Sequence, residues 1–270
     1  MSTPEKPKIA LVFYGLLRSI QYTLPNLQKQ VFCAINESGY EYDIYCHNYY
    51  FPANHKYNNP RSREYNIDLD PNAYKLLNPK YYISDNQLEV AEQLNLPSYR
   101  TCGDPWPKTG FKTLGNYLLA MYSRKKITEL LAKNITSDPQ SHTYTAVIFL
   151  RSDVLFEKPL PIPKLITLLT ETENTNNQKR ACLIPNFHHW LGGLNDRMFI
   201  SKPALALEYG VAFDLLLALS KERNLHSEQI NKYIIQEVCK ATPVLVPIFF
   251  ARVRANGNIL NENYGATETY

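Results

Sequence analysis

Residues 145–153, reading TAVIFLRSD, form an unbroken apolar run that ends abruptly in a carboxylate. Across residues 146–150 no polar side chain alternates with the apolar ones. That pattern predicts a strand covered on both faces, as at the centre of a parallel sheet. In an open α/β sheet the ligand crevice lies beyond the carboxyl ends of such strands. Asp153 is therefore expected where a ligand, and a metal ion with it, would be held.

Elsewhere strands and helices alternate. Residues 8–14 read as the first strand, closed by a turn at Gly15 and followed by Arg18 and Ser19. Thr23 is expected to cap a helix with Pro25 in its first turn and Leu27, Val31, Phe32 and Ile35 on one face. Residues 42–47 alternate like a second strand, with Asp43, Tyr45 and His47 on one side. Residues 48–79 carry few periodic signals, and a loop of that length is an insertion or a functional segment. The stretch 40–82 is dense in Tyr, Asn and Pro, and the chain holds 20 tyrosines. Those tyrosines either offer a flat face and a hydroxyl to an amphipathic ligand such as a sugar, or cover the core.

Further on, residues 81–84 read as a short strand and 87–94 as a brief helix. The Pro105-Trp106-Pro107 segment must be non-helical. Helical spacing returns over 114–131, a strand over 144–151, and a polar surface loop over 170–179. Strands are expected at 181–185, 197–200 and 243–250, and helices at 203–219 and 227–238. No internal repeat is visible. The pattern predicts an α/β fold with a mainly parallel central sheet flanked by helices. It is read as one domain over 1–270, with 48–79 as a loop-rich insertion and 258–270 as a tail.

Composition narrows the partners. The formal charge of the 270-residue chain is only +4, and no Lys/Arg run marks a nucleic-acid stripe. The five cysteines are odd in number and lack CxxC or metal-ligand spacing, which predicts reduced, mostly buried thiols in a cytosol-like compartment. Lys6 and Lys8 precede an apolar stretch over 9–17 that loosely mimics a secretory leader. It is short, contains Gly15, ends at Arg18 and lacks a small-residue cleavage site, so a first strand is the better reading. No apolar run reaches the roughly 18–20 residues that span a bilayer. A soluble, cytoplasmic protein is expected.

Five constellations can carry chemistry, each with a plain structural reading beside it. Gly15 with Arg18 and Ser19 lets backbone approach a ligand and places a guanidinium for bidentate phosphate contact, or is only a turn with a surface Arg. It matches neither GxGxxG nor GxxxxGK[ST]. Arg151-Ser152-Asp153 can hold a divalent cation bridging a diphosphate, with Arg151 on phosphate or paired to Asp153; otherwise Asp153 caps a turn. In residues 191–197, LGGLNDR, Gly193 and its neighbour allow close packing. Asn195 and Asp196 offer acceptors there, and Asp196 a general base; otherwise the segment is a turn with a local ion pair. Glu228 in His226-Ser-Glu-Gln229 is a second candidate base, or part of a helix cap with Ser227. Arg252 and Arg254 lie on one side of an extended segment and can neutralise a diphosphate. His188 and His189 lack zinc-ligand spacing, and beside Trp190 they read as walls of an acceptor groove.

Taken together these residues resemble a family of small GT-A-type glycosyltransferases found in large DNA viruses, including algal viruses, and in some bacteria and algae. The likeness is carried by Gly15 and Arg18-Ser19, Tyr42-Asp43-Ile44, Asn116-Tyr117, Tyr122-Ser123, and residues 149–154. It continues in residues 192–197, His226-Ser-Glu228 and Arg252-Val-Arg254, in family order. The resemblance implies a GT-A-like, nucleotide-binding sheet and transfer of a sugar from a nucleotide-diphosphate donor, UDP-xylose being the best single choice. The acceptor would be a hydroxyl of a glycan or glycoprotein, and in a virus the reaction would run in host cytoplasm. It places Gly15, Arg18, Ser19, Arg151, Asp153, Arg252 and Arg254 on the donor. His188, His189, Trp190, Gly193 and Asn195 fall on the acceptor, and Asp196 or Glu228 acts as the base of an inverting transfer. Asp153 stands for the last Asp of the family's DxD metal motif. Arg151 occupies the first, so a Mn or Mg cofactor would be held by Asp153 with diphosphate and water, or be replaced by Arg and Lys side chains.

Three other readings compete. A non-catalytic nucleotide-sugar or glycan-binding module would keep the pocket and lose turnover. A nucleotidyltransferase would need a longer Gly-rich loop than residues 15–19, and a two-lobed GT-B transferase needs a longer chain.

Overall fold

The computed structural model describes residues 6–137, 144–175 and 180–260. The first strand, β1 (Lys8–Gly15), leads into α1 (Ile20–Leu27), which passes through a wide turn at Gln28–Phe32 into α2 (Cys33–Glu37). Then come β2 (Glu41–Tyr50), β3 (Tyr57–Asn59), β4 (Glu64–Ile67), β5 (Tyr81–Asn86), α3 (Gln87–Gln93) and the long α4 (Lys112–Ser137). The second half holds β6 (Tyr144–Leu150), β7 (Val154–Phe156), α5 (Ile162–Thr175), β8 (Ala181–Pro185), β9 (Met198–Ser201), α6 (Pro203–Gly210), α7 (Leu216–Leu219) and α8 (Ser227–Tyr233). It closes with β10 (Thr242–Val246), β11 (Phe250–Val253) and β12 (Ile259–Leu260).

The main sheet has seven strands in the order β10-β8-β9-β6-β1-β2-β5. All run parallel except β9, which is antiparallel to both neighbours. Side-chain alternation along β1 divides the interior. Ile9, Leu11 and Phe13 enter one core with α1 and α5; Ala10, Val12 and Tyr14 enter the other with α4, α6 and α8. Both faces are covered, so β1 and β6 carry apolar runs rather than alternation, as the sequence predicts.

This topology decides where a site can be. From β1 the chain builds outward through β2 to β5, then returns to lay β6 on the opposite side of β1. The reversal makes the β1/β6 seam a topological switch point, and its carboxyl end is where a crevice opens in such sheets. Because β9 is antiparallel, residues just before Met198 arrive at this same end, Met198 lying opposite Leu150. The small sheet β12-β11-β7 adds the fourth wall, its register setting Arg252 opposite Val154.

Several local expectations change. The first helix starts at Ile20 with Ser19 in the N-cap position, and Pro25 lies inside it. Thr23 caps nothing: its hydroxyl donates to the Ser152 carbonyl at 2.6 Å, a tertiary bond that local propensity does not foresee. Residues 170–175 are the end of α5 rather than a loop; residues 176–179 of that expected loop lie outside the described residues. The expected strand over 243–250 is two strands in different sheets, because the chain breaks at Pro247 between Val246 and Phe250. The helix expected over 203–219 is interrupted after Gly210. Residues 48–79 carry the antiparallel pair β3–β4. Of the expected tail, 259–260 form β12 and 261–270 lie outside the described residues.

Cys46, Cys182 and Cys239 are buried, Cys33 and Cys102 exposed, and all five are free thiols. Among the described residues no helix is long and apolar enough to cross a membrane.

Candidate functional site

At the carboxyl end of β1, Gly15 adopts φ +97°, a conformation other residues resist, and turns the chain away from the sheet. Its N–H donates to Ser123 Oγ on α4 at 2.7 Å, and Ser123 Oγ lies 2.7 Å from Nδ1 of the fully buried His47. His47 Nε2 is 3.1 Å from Asp85 Oδ2. Burial pushes the imidazole below its ordinary pKa, with Asp85 opposing the shift. The neutral ring then joins Ser123 to Asp85 and ties the ends of β1, β2, β5 and the face of α4 together. Ser123 is fully buried, so this relay holds the Gly15 turn and offers no accessible nucleophile.

The turn delivers Arg18. Its guanidinium donates to Tyr57 Oη and to Asp153 Oδ2 (3.3 Å), and lies 3.8 Å from Glu64 Oε2. Ser19 Oγ donates to the Val253 carbonyl at 2.8 Å, fastening the turn to β11. Beyond β6, Arg151 clamps Asp153 bidentately, Nε to Oδ1 at 2.8 Å and Nη2 to Oδ2 at 2.5 Å. Asp153 is 3 % exposed, and burial opposes its charge; Arg151, Arg18 and Arg252 outweigh burial and hold its carboxyl far below the usual range. Arg254 stands in the same field, its pKa lowered to about 10 by burial and by repulsion from Arg18 and Arg252, with Asp153 and Glu64 opposing. The structure thus gathers Gly15, Arg18, Ser19, Arg151, Asp153, Arg252 and Arg254 at one corner.

That corner adjoins a second one. The Arg151 N–H donates to the Arg197 carbonyl at 3.3 Å, and Tyr14 Oη donates to the Asp196 carbonyl at 3.3 Å. Asp196 is half-buried, whereas Glu228 is buried. Burial first, and the charge of Asp196 second, push Glu228 up to about 7, against the opposing pull of Arg197 and of the Ser227 hydroxyl. Arg197 Nη2 is 3.8 Å from Glu228 Oε1, and His226 Nδ1 is 3.4 Å from Oε2. The expected Ser227 cap is not formed: His226 is the N-cap residue, and Ser227 Oγ donates to Glu228 Oε2 instead.

The loop before β9 is built against α8. Gly193 sits where any Cβ would overlap the backbone of Glu228, and the Leu194 N–H donates to the Glu228 carbonyl at 2.8 Å. Asn195 is fully buried. Its amide donates to the Phe187 carbonyl (2.9 Å) and accepts from the Arg197 N–H (2.9 Å), so both ends serve the loop itself. His189 Nδ1 accepts from the Asn195 N–H at 3.2 Å. The rings of His188 and Trp190 lie 5.5 Å apart beside this loop. From the other side Trp106 reaches His226, ring centres 5.0 Å apart.

Sequence reasoning missed several members of the site. Tyr57 and Glu64 come from β3 and β4, inside the aperiodic 48–79 segment, where no pattern marks them. Glu64 is fully buried and accepts the Ala255 N–H at 2.6 Å. Arg124 on α4 is 2 % exposed, its guanidinium 3.8 Å from the centre of the Tyr209 ring. A shallow open groove runs from Arg18 along Leu16, Asn48, Tyr50, Phe51 and Pro71. It includes Arg18 and stops short of Asp196.

A divalent cation does not fit the side chains at Asp153. Both of its oxygens already accept N–H bonds from arginine, and no group of three or more His, Cys, Asp or Glu that could hold a metal ion occurs among the described residues. Hard cations need several oxygen ligands, and this corner supplies guanidinium groups instead. The expected metal role of Asp153 is therefore at odds with its surroundings.

No protein-family model matches the sequence, and no curated protein matches it. Among solved structures, the apo form of mouse xyloside xylosyltransferase 1 is similar over 89 % of this chain and 85 % of that one, at 11 % identity and a TM-score of 0.41. An active-site mutant of LgtC is similar over 83 % of this chain and 69 % of that one, at 12 % identity and a TM-score of 0.40. The apo glycosyltransferase GlyE of Streptococcus pneumoniae TIGR4 is similar over 88 % of this chain, at 15 % identity and a TM-score of 0.37; this chain spans 45 % of GlyE. At these TM-scores the likenesses carry no activity over to this chain.

Proposed function

We propose that this chain is a glycosyltransferase that moves a sugar from a nucleoside-diphosphate donor to a hydroxyl of a glycan or glycoprotein. One observation carries the reading: at the switch point of the sheet, a guanidinium cluster adjoins a pair of carboxylates through Arg151 and Tyr14. Inverting glycosyl transfer from such a donor needs both halves. Negative charge grows on the departing diphosphate and must be met by preorganised positive groups. The attacking hydroxyl must lose a proton to a base on the far side of the sugar when the transfer inverts.

In this reading Arg18, Arg151, Arg252 and Arg254 face the diphosphate, Gly15 and Ser19 shape their frame, and Asp153 orders them. The groove beside Arg18 takes the nucleoside. Asp196, half-buried and reachable, is the first choice of base, and the buried Glu228 the second. His188, His189, Trp190 and Trp106 wall the acceptor side. Gly193 and Asn195 build the loop that presents Asp196 rather than contacting the acceptor, since Asn195 spends its amide on backbone. UDP-xylose remains the first donor to try, and the narrower resemblance to viral and bacterial enzymes rests on the residue pattern alone. Free thiols throughout suit a reducing, cytoplasmic setting.

The test is release of nucleoside diphosphate from a panel of UDP-, GDP- and ADP-sugars, with and without oligosaccharide acceptors. One donor is expected to give release that increases with acceptor. A binding module would instead raise the unfolding temperature with a donor and release nothing. Neither protection nor release from any donor would end the proposal.

Glu228 gives a separate expectation in stability. Its folded-state value of about 7 lies above the ordinary 4.5, so its favourable contribution is complete below pH 4.5 and is lost as pH rises through 7. Glu228→Gln removes this term. Between pH 5 and pH 8 the wild type should lose roughly 2–3 kcal/mol more unfolding free energy than the variant, read by urea titration at both values. Parallel loss in both proteins would mean that Glu228 is not held protonated.

A further inference from the structure

We infer that the donor's diphosphate is neutralised here by arginines without a divalent cation, and that Asp153 is a positioning residue that aims those arginines. The inference rests on the transferase reading and specifies how its donor end works. Asp153, Arg18, Arg252, Arg254 and Glu64 act on one another electrically, and Arg151 is bound to Asp153. With the adjoining Arg197 and Asp196 included, and Glu228 held toward its neutral form, five guanidinium groups face three carboxylates (Asp153, Glu64, Asp196), which leaves an excess of two positive charges. A diphosphate linked at both ends carries two negative charges, and gains a third when the sugar bond breaks. The cluster therefore matches the bound donor and is ready for the charge that develops on departure. A divalent ion would double the excess, and the arginines already take three of the roughly four acceptor sites of Asp153.

The geometry permits double duty. Asp153 takes the Nε–Nη2 edge of Arg151 and one Nη2 bond from Arg18. A guanidinium carries five N–H donors in a rigid fork, so one group can hold a carboxylate and a phosphate oxygen together. Anchoring the arginines beforehand also removes most of the ordering cost of binding. Glu64 and Tyr57 do the same for Arg18 from the β3–β4 side, which explains why a buried acid stands there. Burial of Arg254, whose Nε has no hydrogen-bond partner, leaves a donor for an incoming oxygen.

The experiment is calorimetric titration of UDP, GDP and ADP into the native protein, in EDTA and again in Mn²⁺, followed by the tightest of them against its nucleoside. The expected result is binding in EDTA with an affinity within about threefold of that in Mn²⁺. Affinity at least tenfold greater in Mn²⁺ would overturn the inference and leave the transferase reading standing. No binding under either condition would remove both. With Asp153→Asn, diphosphate affinity in EDTA should fall about tenfold or more while nucleoside affinity stays within about threefold, as expected when one charged anchor of an arginine fork is lost. Equal loss for nucleoside and diphosphate would reduce Asp153 to a structural role, and loss seen only in Mn²⁺ would make it a metal ligand; either outcome overturns the inference.

Discussion

Asp196→Asn is expected to lower kcat for sugar transfer by about 10²–10⁴-fold, the usual worth of a positioned general base, while donor affinity stays close to the wild-type value. The substitution keeps shape and removes a carboxylate that is only half-buried beside the arginine corner. Its side chain is half-buried on the loop before β9, and Tyr14 steadies that loop through the Asp196 carbonyl. The same change removes a negative charge that helps keep the proton on Glu228. Glu228 should therefore ionise at lower pH in the variant than in the wild type, an effect that simple misfolding does not produce. Full activity in Asp196→Asn would transfer the base role to Glu228, or point to a retaining reaction that needs no base. Comparing Glu228→Gln then decides between those two: it falls in the first case and survives in the second.

How far the fold was legible depends on whether the signal was local. The runs at residues 8–14 and 145–150 have apolar side chains on both faces, and that alone points to two buried parallel strands, beyond whose carboxyl ends a crevice opens in such sheets. Failures occur where a distant partner decides. Thr23 looks like a cap, yet its hydroxyl reaches Ser152, and the helix begins at Ile20 instead. Residues 243–250 read as one strand, but Pro247 separates a strand of the main sheet from one that pairs with β7. Residues 170–174 are polar because the last turns of α5 lie at the surface, exposed or half-buried all round, a pattern easily mistaken for a loop.

The residues proposed for the site were legible where they lie close to strands. Arg18 and Asp153 follow β1 and β6, Arg252 lies within β11, and Asp196 sits in the glycine-marked loop just before β9. Glu64 and Tyr57 anchor Arg18 from a segment with no periodicity, and only the tertiary fold shows it. The Ser123–His47–Asp85 relay joins three elements far apart in sequence, and Ser123 and Asp85 carry no local mark of it. Asn195 illustrates the opposite error. Its chemistry suits a sugar hydroxyl, but the loop needs that amide to satisfy its own buried backbone.

Gly193→Ala should be, with Gly210→Ala, among the most damaging single-methyl changes at the described glycines, costing roughly 3 kcal/mol or more of unfolding free energy. The backbone at Gly193 has φ −82°, which alanine adopts freely, so conformational strain contributes nothing. The cost is steric. A Cβ would overlap the carbonyl carbon and oxygen of Glu228 and lie 2.5 Å from the amide nitrogen of Gln229. These are backbone atoms at the start of α8, and no rotamer can move them aside. Separating the two segments would strain the Leu194-to-Glu228 hydrogen bond (2.8 Å) and the bond from Asn231 Nδ2 to the Asn195 carbonyl (2.8 Å). The neighbouring glycine supplies the control. Gly192 has φ +68° with open space around its Cβ position, so Gly192→Ala should cost only about 1 kcal/mol, the ordinary penalty of a left-handed alanine. Urea titration of both variants reads the difference directly. In any Gly193→Ala protein that still folds, Asp196 and Glu228 are pushed apart, and the pKa of Glu228 should fall from about 7 as that repulsion weakens. Equal costs for the two alanines would mean that the loop before β9 does not rest on α8, and the carboxylate pair would lose the contact that sets its spacing.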